Sequence, residues 1–413
     1  MLTLKTMFSS ESYPMRLILD IETDSIQSKI WLVVTRNVDT GEVLCHTDAT
    51  TLIPLIENAE LIGHNLIAFD AYHLNRLWKT SIHLNQCSDT LVLGRLLDPQ
   101  RAAHSLESWG SELGCPKDDY PKQYREKYPD RAKMDCWDQP DIELLTSYCI
   151  QDTNSTLVVW KHITKQLSSS EFSYESQRLE HEVQYIIAEQ KRNGFKLDIP
   201  ACQMLLNTVT RRHTELAQQL IEAFGPTEVN LKTKTKLIPF NPNSRQQIGK
   251  RLMDRGWKPT KMTETGRPKV DEKTIADCSV PEAALCVEYL TLEKRRSQIQ
   301  SWLDAVEDDS RVHGSVNTNG AVTGRMTHFG PNMGQIPSKK KFLGAECRAV
   351  WVAEKPYVLF GFDASGLELR MLAHYMNDAD YTVEVVSGDV HSKNQEAAGL
   401  PTRDDAKTFI SMG

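Results

Sequence analysis

In the run LILDIETD, Asp20 and Glu22 stand two residues apart. Side chains alternate along an extended strand, so both carboxylates point to one face while Leu19 and Ile21 point to the other. Two carboxylates held together need a counter-ion, and a hard divalent cation with oxygen ligands is the usual one. Asp70 in GHNLIAFDAYHL and Asp152 in YCIQD add two further acids, with Asp89 in CSDTLVLGRLL an alternative to Asp70. Tyr148 lies four residues before Asp152, hence on the same helix face. Asp20, Glu22, Asp70 and Asp152 could hold two ions about one phosphodiester, one activating water and the other stabilising the departing oxygen, with Tyr148 orienting the water. Because Asp20 and Glu22 interrupt an otherwise apolar run, acids merely solvating an edge strand explain the pattern less well.

A second set lies near the other end. In KPYVLFGFDASGLELRMLAHYM the pattern predicts a buried strand running directly into a helix, with Asp363 at the strand's carboxyl end and Glu368 in the first helical turns. That is a suitable place for a metal-bound carboxylate beside a nucleotide, although an Asp after a strand also serves as a helix N-cap. Arg403 and Lys407 are four apart, so a helix would put both cations on one face, where they could stabilise charge on a phosphoryl group.

The elements that must position these residues follow from periodicity. MRLILDIETD and KIWLVVTR read as neighbouring strands, and helical spacing takes over at AYHLNRLW, DTLVLGRLL and SLESWGSELG, giving an α/β layer structure over residues 15–168. Long helical spacing from about Glu171 to Phe224, through Leu179, Val183, Ile186 and Ile187 and broken at Gly194, predicts a pair of elongated helices packed together. FNPNSRQQIGKRLMDRGW predicts a short helix capped by Asn243 or Ser244, and ALCVEYLTLEKRRSQIQSWLDAV one amphipathic helix. From Gly314 the Gly-, Asn- and Thr-rich GSVNTNGAVTGRMTHFGPNMGQIP predicts loop and ribbon.

Composition bounds the rest. With 413 residues, 40% hydrophobic and 25% charged, the chain suits two or three globular domains. No run of about 18 apolar residues suggests a membrane span, and the first residues lack a secretory pattern. The nine cysteines form no CxxC pair, which points to a reduced, cytoplasmic protein. The net charge of -7 divides unevenly: residues 171–350 carry 27 Lys+Arg against 22 Asp+Glu, a balance of +5, leaving 21 against 33, or -12, elsewhere. The middle of the chain could therefore face a polyanion. Its clusters Lys232, Lys234, Lys236; Lys294, Arg295, Arg296; and Lys339, Lys340, Lys341 are singly no more than solvated surface.

The ordered set of strand DxE, Asp70 and helical YxxxD resembles the proofreading 3'-5' exonuclease superfamily that includes RNase D-like enzymes. DASGLELR, VNTNGAVTGRMTH, GQIP and HSKNQEAAGLPTRDDAKTF resemble the DNA polymerase I family (family A), specifically replicative polymerases of short-tailed phages, in matching order from Asp20 to Phe409. The resemblance implies an N-terminal tail (1–14), an RNase H-like 3'-5' exonuclease domain (15–168), a helical thumb with connecting helices (169–312), and a partial palm with the start of the fingers (313–413). It implies that Asp363 and the carbonyl of Ala364 bind catalytic Mg2+, for which Mn2+ can substitute. Glu368 would select deoxyribonucleotides, and His391, Arg403 and Lys407 would meet the triphosphate. Arg325 and Gln335 would touch the primer-template near its growing end, and Asn243 and Ser244 the duplex backbone. The likeness stops at Ile410, before the family's stacking tyrosine and second polymerase acid, so a truncated or split polymerase needing a C-terminal fragment is expected. The short FGPTEVNLKTKTKLIPF lacks the large insertion of thioredoxin-using relatives, so no thioredoxin partner is implied.

Overall fold

The computed structural model describes residues 15–131, 133–170, 172–230, 235–403 and 405–406. The N-terminal tail 1–14, Lys232, Lys234 and Lys407 lie outside the described residues. The chain divides into two compact units, one ending at Val352 and one beginning at Ala353.

The first unit opens with β1 (Met15–Thr23), β2 (Ile30–Asn37) and β3 (Val43–His46), then α1 (Ala49–Ile56), β4 (Ala59–Gly63), α2 (Asp70–His73), β5 (Cys87–Asp89) and α3 (Thr90–Leu97). The five strands form one sheet in the order β3-β2-β1-β4-β5, with β2 antiparallel and β4 parallel to the central β1. Then come α4 (Leu106–Glu112), α5 (Tyr120–Lys127) and the long α6 (Ile142–Ser169), whose N-cap Asp141 accepts hydrogen bonds from the amides of Glu143 and Leu144.

Both sheet faces are covered, which is why β1 and β2 read as nearly continuous apolar runs. Leu17, Leu19 and Ile21 of β1 bury into a core with Leu52, Ile56, Leu61 and Leu66. On the opposite face Leu32 and Val34 of β2 meet Tyr120, Tyr124, Leu145 and Cys149 of α5 and α6. Asp20 and Glu22 alternate with the first set and so face α6. A third cluster joins Leu93, Leu106 and Trp109 to Val159 and Ile163.

After α6 the chain continues through α7 (Tyr174–Asn193), β6 (Phe195–Lys196), α8 (Ile199–Phe224), the ribbon β7 (Thr227–Asn230) and β8 (Thr235–Ile238), and α9 (Arg245–Asp254). The unit closes with α10 (Ala283–Asp304), β9 (Arg311–Val312), the ribbon β10 (Ser315–Asn317) and β11 (Thr327–Phe329), and α11 (Gly344–Ala349). A large separate core holds α8, α9 and α10 together, with Trp302, Tyr289, Leu216 and Leu220 deeply buried.

Here the expected helix pair fails. The break falls at Gly194, at φ 60°, but α8 packs along α10, whereas α7 lies on α3. The face that α7 buries is mostly polar, with Arg178, His181 and Gln184 beside Ala188, while Leu179 (57% exposed) and Ile186 (61%) face outward. Hydrogen bonds replace apolar contact. The Arg178 guanidinium donates to the carbonyls of Leu84 and Cys87 and to Asn85 Oδ1. His181 donates from Nδ1 to the Gln177 carbonyl and accepts the Asp89 amide at Nε2, 2.8 Å away; burial lowers its pKa to about 4, which keeps the ring neutral for this role.

The second unit carries α12 (Leu367–Met376), α13 (Ala379–Ser387) and α14 (Val390–Ala397) around a small core of Leu369, Ala373, Val385 and Val390. The predicted buried strand before α12 is absent. Residues 357–363 belong to no strand, and Phe360 (85%) and Phe362 (90%) are exposed. A β ladder needs a neighbouring backbone, and among the described residues no strand pairs with this segment.

Candidate active site

Three elements converge on one buried spot. Asp20 and Glu22 stand on β1, just before a register shift at Glu22/Thr23. Asp70 opens α2, and its Oδ1 accepts the Ile21 amide at 3.1 Å, tying the α2 N-terminus to the same strand. Tyr148 and Asp152 come from one face of α6. Asp20, Glu22 and the Cys149 thiol bring potential ligand atoms within 4.8 Å of one another. Cys149 Sγ lies 3.1 Å from Asp20 Oδ2, to which the thiol donates.

The electrostatics are those of acids crowded in a low-dielectric site. Burial is the largest influence on all four, lifting each pKa above the ordinary carboxylate range. Neighbouring negative charge adds to it. Asp20 and Asp152 push Glu22 well up, and Asp20 does the same to Asp70. Asp152, 2% exposed, reaches about 7 through burial and the Asp20 charge, opposed by Lys117. Burial, with Asp152 next, also raises the Tyr148 phenol, so its hydroxyl keeps its proton at neutral pH. Asp152 Oδ1 is buried with no hydrogen-bond partner, an atom that a cation would satisfy. Four carboxylates, one of which carries the orphaned buried oxygen, fit Mg2+ or Mn2+.

Asp89, the alternative to Asp70, has a different task. Its oxygens accept the amides of Asn65, Ile67 and Leu91 at 2.9–3.0 Å, fully buried, capping α3 and fixing the loop after β4. Asp70, by contrast, has the Asp20 charge among the influences on its carboxyl.

Lys117, which sequence patterning did not single out, also faces the acids. Its Nζ makes an ion pair with Asp152 Oδ2 and lies 4.9 Å from the Tyr148 ring centroid. No period or motif marks a lysine in the loop between α4 and α5; only the fold brings it here.

The other predicted residues are dispersed. Ser244 caps α9, its Oγ accepting the Gln247 amide, and Asn243 Oδ1 accepts the Tyr289 hydroxyl at 2.6 Å. Arg325 is exposed between β10 and β11, and Gln335 is exposed in a short 3-10 turn with its carbonyl accepting from Gln298. In the second unit Asp363 and Ala364 are exposed, Glu368 is in the first turn of α12, and His391 is on α14. Arg403 makes a two-pronged pair with Asp389 at 2.9 and 3.0 Å. Among the described residues no group of three metal-ligating side chains includes Asp363.

Comparison with known proteins supplies the class to which this fold and acid cluster belong. Residues 202–407 match the sequence model of DNA polymerase family A. The DNA-directed DNA polymerases of Escherichia phage T7 and Enterobacteria phage T3 are each 32% identical to the chain over 476 residues, covering 85% of it and 67% of each relative. DNA polymerase I of Helicobacter pylori is 24% identical, with 83% of this chain and 36% of the relative covered. Among solved structures, the POL domain of Pol1 from M. smegmatis, in complex with DNA primer-template and dNTP, superposes with a TM-score of 0.72 at 18% identity, covering 96% of this chain and 66% of that one. The chain belongs to DNA polymerase family A, and its relatives include DNA-directed DNA polymerases of phages.

Proposed function

We propose that the chain is the exonuclease, thumb and partial palm of a phage replicative DNA polymerase, with domain boundaries near 168 and 312. The observation that supports the exonuclease reading is the grouping of Asp20 and Glu22 on β1 with buried Asp70 of α2 and Asp152 of α6, close enough for their charges to raise one another's pKa, on a sheet of order β3-β2-β1-β4-β5. Those four acids would hold two Mg2+, which supply an activated water and charge stabilisation for the departing 3' oxygen. The protein's own contribution is to present fixed carboxylates, exclude bulk water, and offer a protonated Tyr148 hydroxyl that orients the nucleophile.

Nucleotide addition is assigned to Asp363 with the Ala364 carbonyl, Glu368, His391, Arg403 and Lys407, acting on a deoxynucleoside triphosphate and a primer-template held by Asn243, Ser244, Arg325 and Gln335. The exposure of residues 357–363 supports a need for further polypeptide there. One third of the T7 and T3 polymerases lies outside the match, and further polypeptide would supply a strand beside residues 357–363 and a second acid. No thioredoxin partner is assigned.

The test is release of nucleotides from a 3'-labelled single-stranded oligonucleotide with Mg2+. Release that persists when Asp20→Ala and Glu22→Ala are combined would refute the exonuclease. Primer extension by this chain is expected only when a C-terminal polymerase segment is co-expressed, and continued failure with that segment present would refute the split arrangement.

A further inference from the structure

Lys117 is aimed at the acid cluster by a loop that α6 itself grips. Ser155 Oγ donates to the Cys115 carbonyl and Gln151 Nε2 to the Pro116 carbonyl, each at 2.8 Å. Both donors flank Asp152 in sequence, so the residues positioning the lysine belong to the same helix as its partner. On the other side the loop packs on Gly110 of α4, where a Cβ would come within 2.4 Å of the Cys115 oxygen. The ammonium takes one oxygen of Asp152 while the other is buried and unpartnered. One ammonium cannot balance four carboxylates, and a carboxylate oxygen that ligates a divalent ion leaves a nearby ammonium facing a like charge.

We propose that Lys117 is the site's own removable counter-cation: it holds Asp152 Oδ2 until a divalent ion claims that oxygen, and the released ammonium then meets the phosphodiester of a DNA 3' end. This rests on the exonuclease reading. The flexible four-carbon stem permits the hand-over, the Tyr148 ring supports the ammonium along its course, and a cation beside a phosphoryl group stabilises the charge that develops there.

The experiment uses the full chain. Calorimetric titration with Mn2+ in the absence of DNA compares wild type with Lys117→Met, Lys117→Gln and Lys117→Arg, with circular dichroism confirming folding. Removing the competing charge is expected to tighten Mn2+ binding about tenfold in the Met and Gln variants, while the Arg variant stays near wild type. Single-turnover release of the 3' nucleotide at saturating Mg2+ is expected to fall about 10- to 100-fold in the same two variants. Unchanged or weaker Mn2+ binding overturns the proposal whatever cleavage does. Tighter binding with undiminished cleavage overturns the hand-over to DNA. A wild-type chain that binds Mn2+ but releases no nucleotide refutes the exonuclease reading and the hand-over with it, leaving the competition to be judged by the titration alone.

Discussion

Two stretches of this chain look alike and fold differently. RLILD (16–20) and YVLFGFD (357–363) are both apolar runs closed by an aspartate. The first is the central strand of a five-stranded sheet, sandwiched between helices, with its acid turned into a buried cluster. The second is exposed, its acid included, and belongs to no sheet among the described residues. An apolar run expresses a demand for burial; a neighbouring backbone decides whether that demand is met. An acid's reactivity follows from the same circumstance, since desolvation and crowded charge act only where packing encloses it.

The largest effect that bears on this contrast is catalytic. Combining Asp20→Ala with Glu22→Ala is expected to lower single-stranded exonuclease activity by about 10³-fold or more, whereas Asp363→Ala leaves it unchanged, as followed by nucleotide release. Next come amide hydrogen-exchange rates. Amides of residues 357–363 are expected to exchange at least about 10³ times faster than those of Leu17 to Ile21, because only the latter sit in a protected ladder. Comparable rates would erase the distinction between the two runs. In urea unfolding, Ile18→Ala, at a fully buried position, should cost about 2–5 kcal/mol, while Phe362→Ser, at 90% exposure, should cost less than about 0.5 kcal/mol.

The smallest effect is a pH slope. Asp152 has a folded pKa of about 7 against an ordinary value of 3.8, so between these values the folded chain binds more protons than the unfolded chain, and stability falls as pH rises through that window. Glu22 and Asp70 are shifted in the same direction. In EDTA the melting temperature should therefore drop from pH 5 to pH 8, less steeply in Asp152→Asn. Excess Mg2+ should stabilise the chain more at pH 8 than at pH 5, because it binds the ionised cluster.

Period and residue type made much of the first unit legible. β1 and β2 show as apolar runs, the YxxxD spacing puts Tyr148 and Asp152 on one face of α6, and α10 shows as a single helix. What stayed hidden depends on contacts distant in sequence. Spacing could not reveal that three backbone amides engage Asp89, which makes it a cap and loop anchor. Nor could it reveal that α7 buries Arg178 and His181 in preference to Leu179 and Ile186, since carbonyls near β5 supply partners that no local pattern announces. Lys117 was invisible for the same reason: its place is set by two hydrogen bonds to a helix more than thirty residues onward.

The tight seat of Gly110 has a genetic consequence. A single added methyl there would prise the Cys115 carbonyl, and the loop behind it, away from α6 without touching any acid. In a screen for error-prone replication, alanine at this site is expected to appear beside replacements of the carboxylates: a mutator allele whose lesion lies in the scaffold rather than in the chemistry.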